Sequence, residues 1–314
     1  MYVGQPGMKL RHLITLPTLP PTAWSPDGAL LALGGLLVNA TTGKTVADLR
    51  LPDATPAWSS DGAFLAMLAD PNVYKHPKIA VWNRSTGVVT DVYGFNPAWA
   101  NRSSELAYQA PAQGPGTIET RVYNAVTGTN RLVQTVDGTT HGAISWSSDD
   151  HFLASQFHVT RGNFWTDDLY VVRVASGQRS MVVHGAWSAR WLNQQTLFFV
   201  GSICANWDIY TVHADGSGLQ NRTHSPDVDL DPKASPDGKT LMFDSYPRLV
   251  AGIGAPRVRL LDTETGETRD VIAGSALGGE RWSPNGRYLA VGVLGGHGLC
   301  DHGEPQTTSV ETGP

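Results

Sequence analysis

The stretch Trp24-Ser25-Pro26-Asp27-Gly28, followed by the apolar run Leu30-Leu31-Ala32-Leu33, decides the fold. Pro26 presets a turn φ, Ser25 and Asp27 can bond nearby backbone groups, and Gly28 closes with a free φ, so the five residues form a tight turn between two strands. The phrase returns as Trp58-Ser59-Ser60-Asp61-Gly62, Trp99-Ala100-Asn101-Arg102-Ser103 and Trp146-Ser147-Ser148-Asp149-Asp150. It returns again as Trp191-Leu192-Asn193-Gln194-Gln195, Ala234-Ser235-Pro236-Asp237-Gly238 and Trp282-Ser283-Pro284-Asn285-Gly286. Anchors at 24, 58, 99, 146, 191, 234 and 282 lie 34, 41, 47, 45, 43 and 48 residues apart. That period belongs to propeller blades of four strands each.

A second phrase closes each unit: an alternating strand such as Ile79 to Asn83, Leu169 to Arg173 or Val258 to Asp262, then a turn ending at Gly43, Gly87, Gly128, Gly177, Gly218, Gly266 or Gly313. Apolar runs such as Phe64 to Met67, Phe152 to Ser155, Leu197 to Val200 and Tyr288 to Val291 follow the openings and read as strands buried on both faces. Seven openings and seven closings predict an all-β, seven-bladed β-propeller of four-stranded blades, one domain over residues 1–314. The last unit stops where its fourth strand is due, while Arg11 to Thr15 reads as a fourth strand without a blade of its own. The N-terminal strand is therefore expected to complete the last blade and close the ring. The six anchor tryptophans are expected in the core, without a ligand role.

Composition narrows the function classes. Gly 34 and Pro 20 with only 16% charged residues describe a turn-rich globular chain. A net charge of −5 and no basic block argue against binding to nucleic-acid phosphates. Ala29 to Val38 is the longest nearly uncharged apolar stretch, about half of what a bilayer span needs. Residues 1–8 have neither a basic n-region nor an apolar h-region, so no signal peptide is read.

The Trp-Ser-Pro-Asp-Gly openings and the segment Asp208-Ile-Tyr-Thr-Val-His-Ala-Asp-Gly-Ser-Gly-Leu-Gln-Asn-Arg-Thr-His-Ser-Pro-Asp-Val-Asp-Leu-Asp-Pro232 closely resemble the TolB-like (WD40-like) β-propeller repeat family. The resemblance covers residues 9 to 313 and implies the propeller fold. It also implies an extracytoplasmic setting and the functions such blades serve: periplasmic adaptors, gating domains of prolyl peptidases, and some uronate lyases with a His-rich manganese site. No Gly-x-Ser-x-Gly elbow is present, so peptidase chemistry is not expected.

Within each blade the first-to-second and third-to-fourth turns share one end, and the other connections share the opposite end. The first set is short and regular; the second holds the insertions, where binding usually resides. Those insertions run Asp70 to Lys78, Ala110 to Thr117, Gln156 to Asp167, Gly201 to Trp207, Ser245 to Pro256 and Gly295 to Gln306. Tyr74, His76, His158, Arg161, Trp165, Trp207, Arg248, His297 and His302 are the binding candidates there, side chains suited to a protein, peptide or sugar ligand. Each loop could instead fold its aromatic residue over the adjacent blade end.

His297-Gly298-Leu299-Cys300-Asp301-His302 gathers competent transition-metal ligands but has no fixed second half, so no metal and no cofactor is assigned. Asp227-x-Asp229-x-Asp231 opens like a calcium loop but lacks the sixth-position Gly and the twelfth-position Glu. Cys204 and Cys300 fall in loops of non-adjacent blades and read as free thiols. The residue before the anchor is Ala23, Ala57, Ala98 and Ser145 in the first four blades but Arg190, Lys233 and Arg281 in the last three. These cations would border the central channel, either paired with Asp229, Asp231 or Glu280 or forming an anion site. The sequence thus points to a non-catalytic binding or assembly scaffold that presents its loop-rich end to a protein or other large partner, or to itself. The alternative is a metal-assisted polysaccharide or uronate lyase acting at the same mouth.

Overall fold

The computed structural model describes residues 2–3, 11–12, 21–51, 54–68, 77–112, 116–137, 144–161, 164–202, 206–249, 252–254, 256–273, 281–282, 288–290 and 310–311. These residues form strands and turns, with no helix among them, and so no helix long and apolar enough to cross a membrane. The chain divides into two compact units, residues 1–181 and 182–314, a boundary that falls within one strand, Arg179–His184.

Six four-stranded antiparallel sheets follow one another in chain order. Sheet 1 is Thr22–Trp24, Leu30–Leu33, Leu36–Asn39 and Thr45–Asp48; sheet 2 is Thr55–Trp58, Phe64–Leu68, Lys78–Asn83 and Val89–Tyr93. Sheet 3 is Phe95–Trp99, Glu105–Pro111, Thr117–Asn124 and Asn130–Asp137; sheet 4 is Ser145–Trp146, Phe152–Arg161, Phe164–Arg173 and Arg179–His184. Sheet 5 is Ala186–Trp191, Thr196–Gly201, Asp208–His213 and Gln220–Asn221; sheet 6 is Val228–Ala234, Thr240–Tyr246, Arg257–Asp262 and Thr268–Ala273. A three-stranded sheet, Arg281–Trp282, Tyr288–Ala290 and Val310–Glu311, comes last. In each of the six sheets every strand lies antiparallel beside the next one of that sheet, a meander.

The opening turns form as their residues dictate. In the first, the Ser25 hydroxyl donates to Asp27 Oδ1 (2.5 Å) and accepts from the Leu30 amide (2.9 Å), while the Ala29 amide donates to the same carboxylate (3.0 Å). The same three bonds recur at Ser59 and Asp61, at Ser147 and Asp149, and at Ser235 and Asp237. The second strands then run buried from end to end, as in Leu30–Leu33. Their apolar side chains pack against the neighbouring sheet: Leu30, Ala32 and Leu37 against Leu65 and Met67, and Ala66, Ile79 and Val81 against Leu106 and Tyr108.

The anchors do more than bury area. The indole Nε1 of Trp58 donates to the carbonyl of Ala23 (3.2 Å), that of Trp99 to Ala57 (2.9 Å), that of Trp146 to Ala98 (2.9 Å) and that of Trp282 to Lys233 (3.0 Å). In each of the four cases the acceptor is the residue just before the previous anchor, so these four tryptophans staple their sheets to the sheet before. Trp99 also stacks on Phe64 of sheet 2, with centroids 6.1 Å apart. The expectation of six core tryptophans is corrected accordingly. Trp146 is 5% exposed, but Trp24 is 45% exposed.

Two further readings change. The segment Gln156 to Asp167 is not a loop: the strands on either side extend into a ladder of ten pairs from Phe152↔Arg173 to Arg161↔Phe164. Phe157, Val159, Thr160, Trp165 and Thr166 are aromatic or β-branched, and Gly162-Asn163 is a two-residue hairpin signal, so the sequence carried the extension. Ser245 to Pro256 likewise contains a small hairpin, Arg248–Leu249 against Gly252–Ile253. Arg11–His12 pairs with Tyr2–Val3.

Replacing Trp99 by Phe keeps the stack on Phe64 but deletes the indole donor and orphans the buried-side acceptor. Unfolding in urea should show a loss of about 1 kcal/mol. The same change at Trp24, which has no staple, should cost less than half as much; equal losses at both positions would remove the staple from the account.

Candidate functional site

The two ends of the sheets differ in what holds them. At the turn end, neighbouring sheets are laced together. Arg84 of sheet 2 pairs with Asp27 of sheet 1 (2.8 Å), Ser104 of sheet 3 donates to Asp61 of sheet 2 (2.9 Å), and Asp150 of sheet 4 accepts the Asn101 and Arg102 amides (2.7 and 2.8 Å). These bonds hold Asp27 at about 2, through the Ser25 hydroxyl first and the Ala29 amide and Arg84 next. In residues 1–181 the turn carboxylates are therefore committed to structure.

The loop end of sheets 5 and 6 presents side chains instead. Trp187, near the start of sheet 5, is 40% exposed and meets Trp207 edge to face, centroids 5.2 Å apart at 85°. Beside Trp207, Asn206 donates to the carbonyls of Ser225 (2.6 Å) and Asp227 (2.7 Å), which ties the incoming loop to the start of sheet 6. The Asn206 side-chain oxygen accepts two bonds from the exposed guanidinium of Arg248 (3.2 and 2.8 Å). Arg257 pairs with Asp227 below them. Two sequence candidates, Trp207 and Arg248, thus come together through Asn206, a residue the sequence did not single out. Trp187 was also missed; its signal was that it is a tryptophan just before an anchor rather than at one.

The other candidates distribute as follows. His158 Nδ1 lies 3.1 Å from Asp167 Oδ1, across the long hairpin of sheet 4, with the carboxylate buried. Arg161 pairs with Phe164 and Trp165 with Thr160 within that hairpin, all as strand residues. Arg190, in the first strand of sheet 5, donates to the Ala189 carbonyl (3.0 Å), and burial lowers its pKa. Lys233 lies in the first strand of sheet 6, where its carbonyl receives the Trp282 staple, and Arg281 precedes that anchor in the last sheet. Tyr74, His76, Cys204, Glu280, His297, Cys300 and His302 lie outside the described residues. Among the described residues, no three of His, Cys, Asp and Glu gather as a metal site.

Asp229 is the most perturbed carboxylate of this end. Its amide donates to the Trp207 carbonyl (2.8 Å), it faces Ser245 across the ladder, and it is fully buried. Neither carboxylate oxygen, nor the Ser245 hydroxyl, has a hydrogen-bond partner. Burial pushes Asp229 up to about 6; the nearby hydroxyls of Ser245 and Thr223 pull it down, the Asp208 charge adds to the rise, and Arg259 opposes it. Asp208 itself is satisfied, accepting from Asn221 (2.9 Å), the Thr223 hydroxyl (3.1 Å) and the Ser225 amide (3.2 Å).

Comparison with known proteins bears on the fold and on kinship. No family model matches the chain. A protein named TolB homolog, from Chlorobium luteolum, is 36% identical over 92 residues, which are 29% of this chain and 19% of that protein. The chain therefore spans less than a fifth of the length of this curated relative. Among solved structures, an oligogalacturonate lyase from Vibrio parahaemolyticus superposes with a TM-score of 0.62 at 15% identity, covering 82% of this chain and 74% of that one. TolB from Acinetobacter baumannii gives 0.53 at 15% identity over 83% and 70%, and the β-propeller domain of the Trilobed protease from Pyrococcus furiosus gives 0.59 at 12% identity over 83% and 79%. At these identities the likeness is one of fold: a β-propeller.

The raised pKa of Asp229 has a defined sign in stability. Because its folded value, about 6, lies above the ordinary 3.8, the native state keeps a proton that the unfolded chain releases, and stability falls as pH rises through that interval. Asp229→Asn should raise unfolding stability at pH 7.5 by about 2 kcal/mol and change it little near pH 3.5. Thermal melts at the two pH values check this; the same shift at both would contradict it.

Proposed function

We propose that this chain, a β-propeller similar to TolB over part of its length, is a non-catalytic binding or assembly module whose partner, a protein or other large molecule, docks at the loop end of the sheets. One observation carries the reading. Trp187 and Trp207 are paired and partly exposed at that end, beside an Arg248 held in place by Asn206. Tryptophan and arginine are the residue types that most often supply binding energy at interfaces, because they bury large area with little loss of side-chain freedom. The turn end, by contrast, spends its polar groups on lacing sheets together.

The remaining candidates are assigned to the same role: Tyr74 and His76 after the second strand of sheet 2, His158, Arg161 and Trp165 in the long hairpin of sheet 4, and His297 and His302 in the last unit. Arg190, Lys233 and Arg281 serve it as cations near the first strands. In this reading the three-stranded sheet that begins at Arg281 is the seventh blade, and the N-terminal segment closes the ring. A second reading rests on the likeness to an oligogalacturonate lyase, with His297 and His302 as metal ligands. Metal content of the purified protein separates the two, since a stoichiometric transition metal lost on changing both histidines belongs to the lyase reading alone.

The double variant Trp187→Ala with Trp207→Ala should retain the far-ultraviolet spectrum and melting of the parent. Its association with whatever cross-links to the parent protein in the source cells should weaken by about a hundredfold, as loss of two interface anchors implies. Unchanged association would refute the loop-end assignment, and so would loss of association on changing the turn residue Asp27 in a folded variant.

A further inference from the structure

The loop segments of sheets 5 and 6 carry little charge. The two that the Asn206–Arg248 bonds join, Phe199 to Trp207 and Ser245 to Pro256, contain no Asp, Glu or Lys, and Arg248 is their one charged residue. Their other residues are mainly apolar or small, Ile203, Leu249, Val250 and Ile253 among them. The acids that flank these segments are committed elsewhere. Asp208 accepts from Asn221, the Thr223 hydroxyl and the Ser225 amide, Asp227 pairs with Arg257, and Asp229 and Asp244 are buried.

The guanidinium of Arg248 is oriented without being neutralised. Its Nε and Nη2 both donate to the Asn206 side-chain oxygen, at 3.2 and 2.8 Å. Asn206 is fixed in turn, because its amide nitrogen donates to the Ser225 and Asp227 carbonyls. One two-pronged edge of the guanidinium, Nε with Nη2, is thus occupied by a neutral amide. The other edge, Nη1 with Nη2, belongs to an exposed side chain that pairs with no carboxylate among the described residues. That edge can receive both oxygens of a carboxylate at once, and holding it in place beforehand lowers the ordering cost of doing so.

Trp207 follows Asn206 directly, so the indole pair stands beside this cation. Trp187 and Trp207 meet at 85° with centroids 5.2 Å apart, and Trp187 is 40% exposed. Two perpendicular indoles make an apolar corner, not a flat platform. A sugar ring stacks on a flat face and needs polar partners for its hydroxyls, which these mainly apolar segments supply sparsely. An aliphatic or aromatic side chain fills a corner without that need.

We propose that the partner engaged at this end is an acidic peptide segment of a protein, with an Asp or Glu carboxylate on the free edge of Arg248 and a neighbouring apolar side chain in the Trp187–Trp207 corner. The inference rests on the loop-end reading above and adds the chemistry that the partner must carry. Charge decides it: one oriented, uncompensated cation among apolar residues attracts a locally negative segment and repels a basic one, although the chain as a whole carries −5.

The test selects random peptides displayed on phage against the full chain and titrates the enriched peptides, synthesised, by calorimetry. The enriched sequences should share an Asp or Glu next to a large apolar residue. Changing that acid to its amide should weaken binding at least about tenfold. Arg248→Gln in the protein should weaken it equally, with little further loss when both changes are combined. The peptide change leaves the protein untouched and serves alone if the variant does not fold. Trp187→Ala with Trp207→Ala should abolish binding of the same peptides. Enriched peptides that need the two tryptophans but neither an acid nor Arg248 would overturn this inference and leave the loop-end reading standing; peptides indifferent to the tryptophans would contradict both. Recovery of no peptide would also overturn the proposal, and so would saturable binding of digalacturonate that Arg248→Gln abolishes, in favour of an acidic sugar.

Discussion

An indole N–H that must reach a backbone carbonyl one sheet away is the constraint on which the rest of this architecture depends. A four-stranded meander buries its second and third strands only if another sheet covers each face, and packing between two twisted sheets is not directional enough to fix their spacing. The anchor tryptophan supplies the missing direction. Trp58, Trp99, Trp146 and Trp282 each end on the carbonyl of the residue before the previous anchor, so the relation is the same from sheet to sheet. Each of these sheets is therefore placed on its predecessor in the same way.

Once the anchors fix the sheets, the two ends become chemically distinct. The turn end is occupied by carboxylates and amides that bond their own turn and the adjacent sheet, as at Asp27 with Arg84 and at Asp150 with Asn101. The loop end varies in length from Gly34-Gly35 in sheet 1 to the ten-pair ladder of sheet 4. Asp229 shows what the loop end tolerates: a carboxylate sealed without a hydrogen-bond partner, raised toward neutrality by burial.

Much of this was legible in the sequence, and the failures have physical causes. The turns and buried second strands followed from local chemistry, since Ser, Asp and Gly at fixed offsets act within five residues. The hydrogen-bonding role of the anchors did not, because the acceptor carbonyl lies 35 to 49 residues away and any residue can supply it. For the same reason the exposure of Trp24 could not be read from a phrase so similar to those of Trp58 and Trp282. The long hairpin around Gly162-Asn163 was missed although aromatic and β-branched residues flank it, because a polar, histidine-containing stretch was taken as an insertion. Of the site, Trp207 and Arg248 were named from residue type alone; Trp187 and Asn206 join them only through the register of sheet 5 and two carbonyls of the next sheet.

The central claim is that indole-to-carbonyl bonds, rather than burial alone, hold the sheets of Trp58, Trp99, Trp146 and Trp282 to their predecessors. Hydrogen exchange of the individual indole N–H groups, resolved by nuclear magnetic resonance under native conditions, measures it directly. The indole protons of Trp58, Trp99, Trp146 and Trp282 should exchange only through large-scale opening, slowing in step with global stability, although the indole side chains are partly accessible. The Trp24 indole, with the same sequence context and 45% exposure, should exchange at close to the free rate. Fast exchange at the stapled indoles, comparable to that of Trp24, would contradict the account.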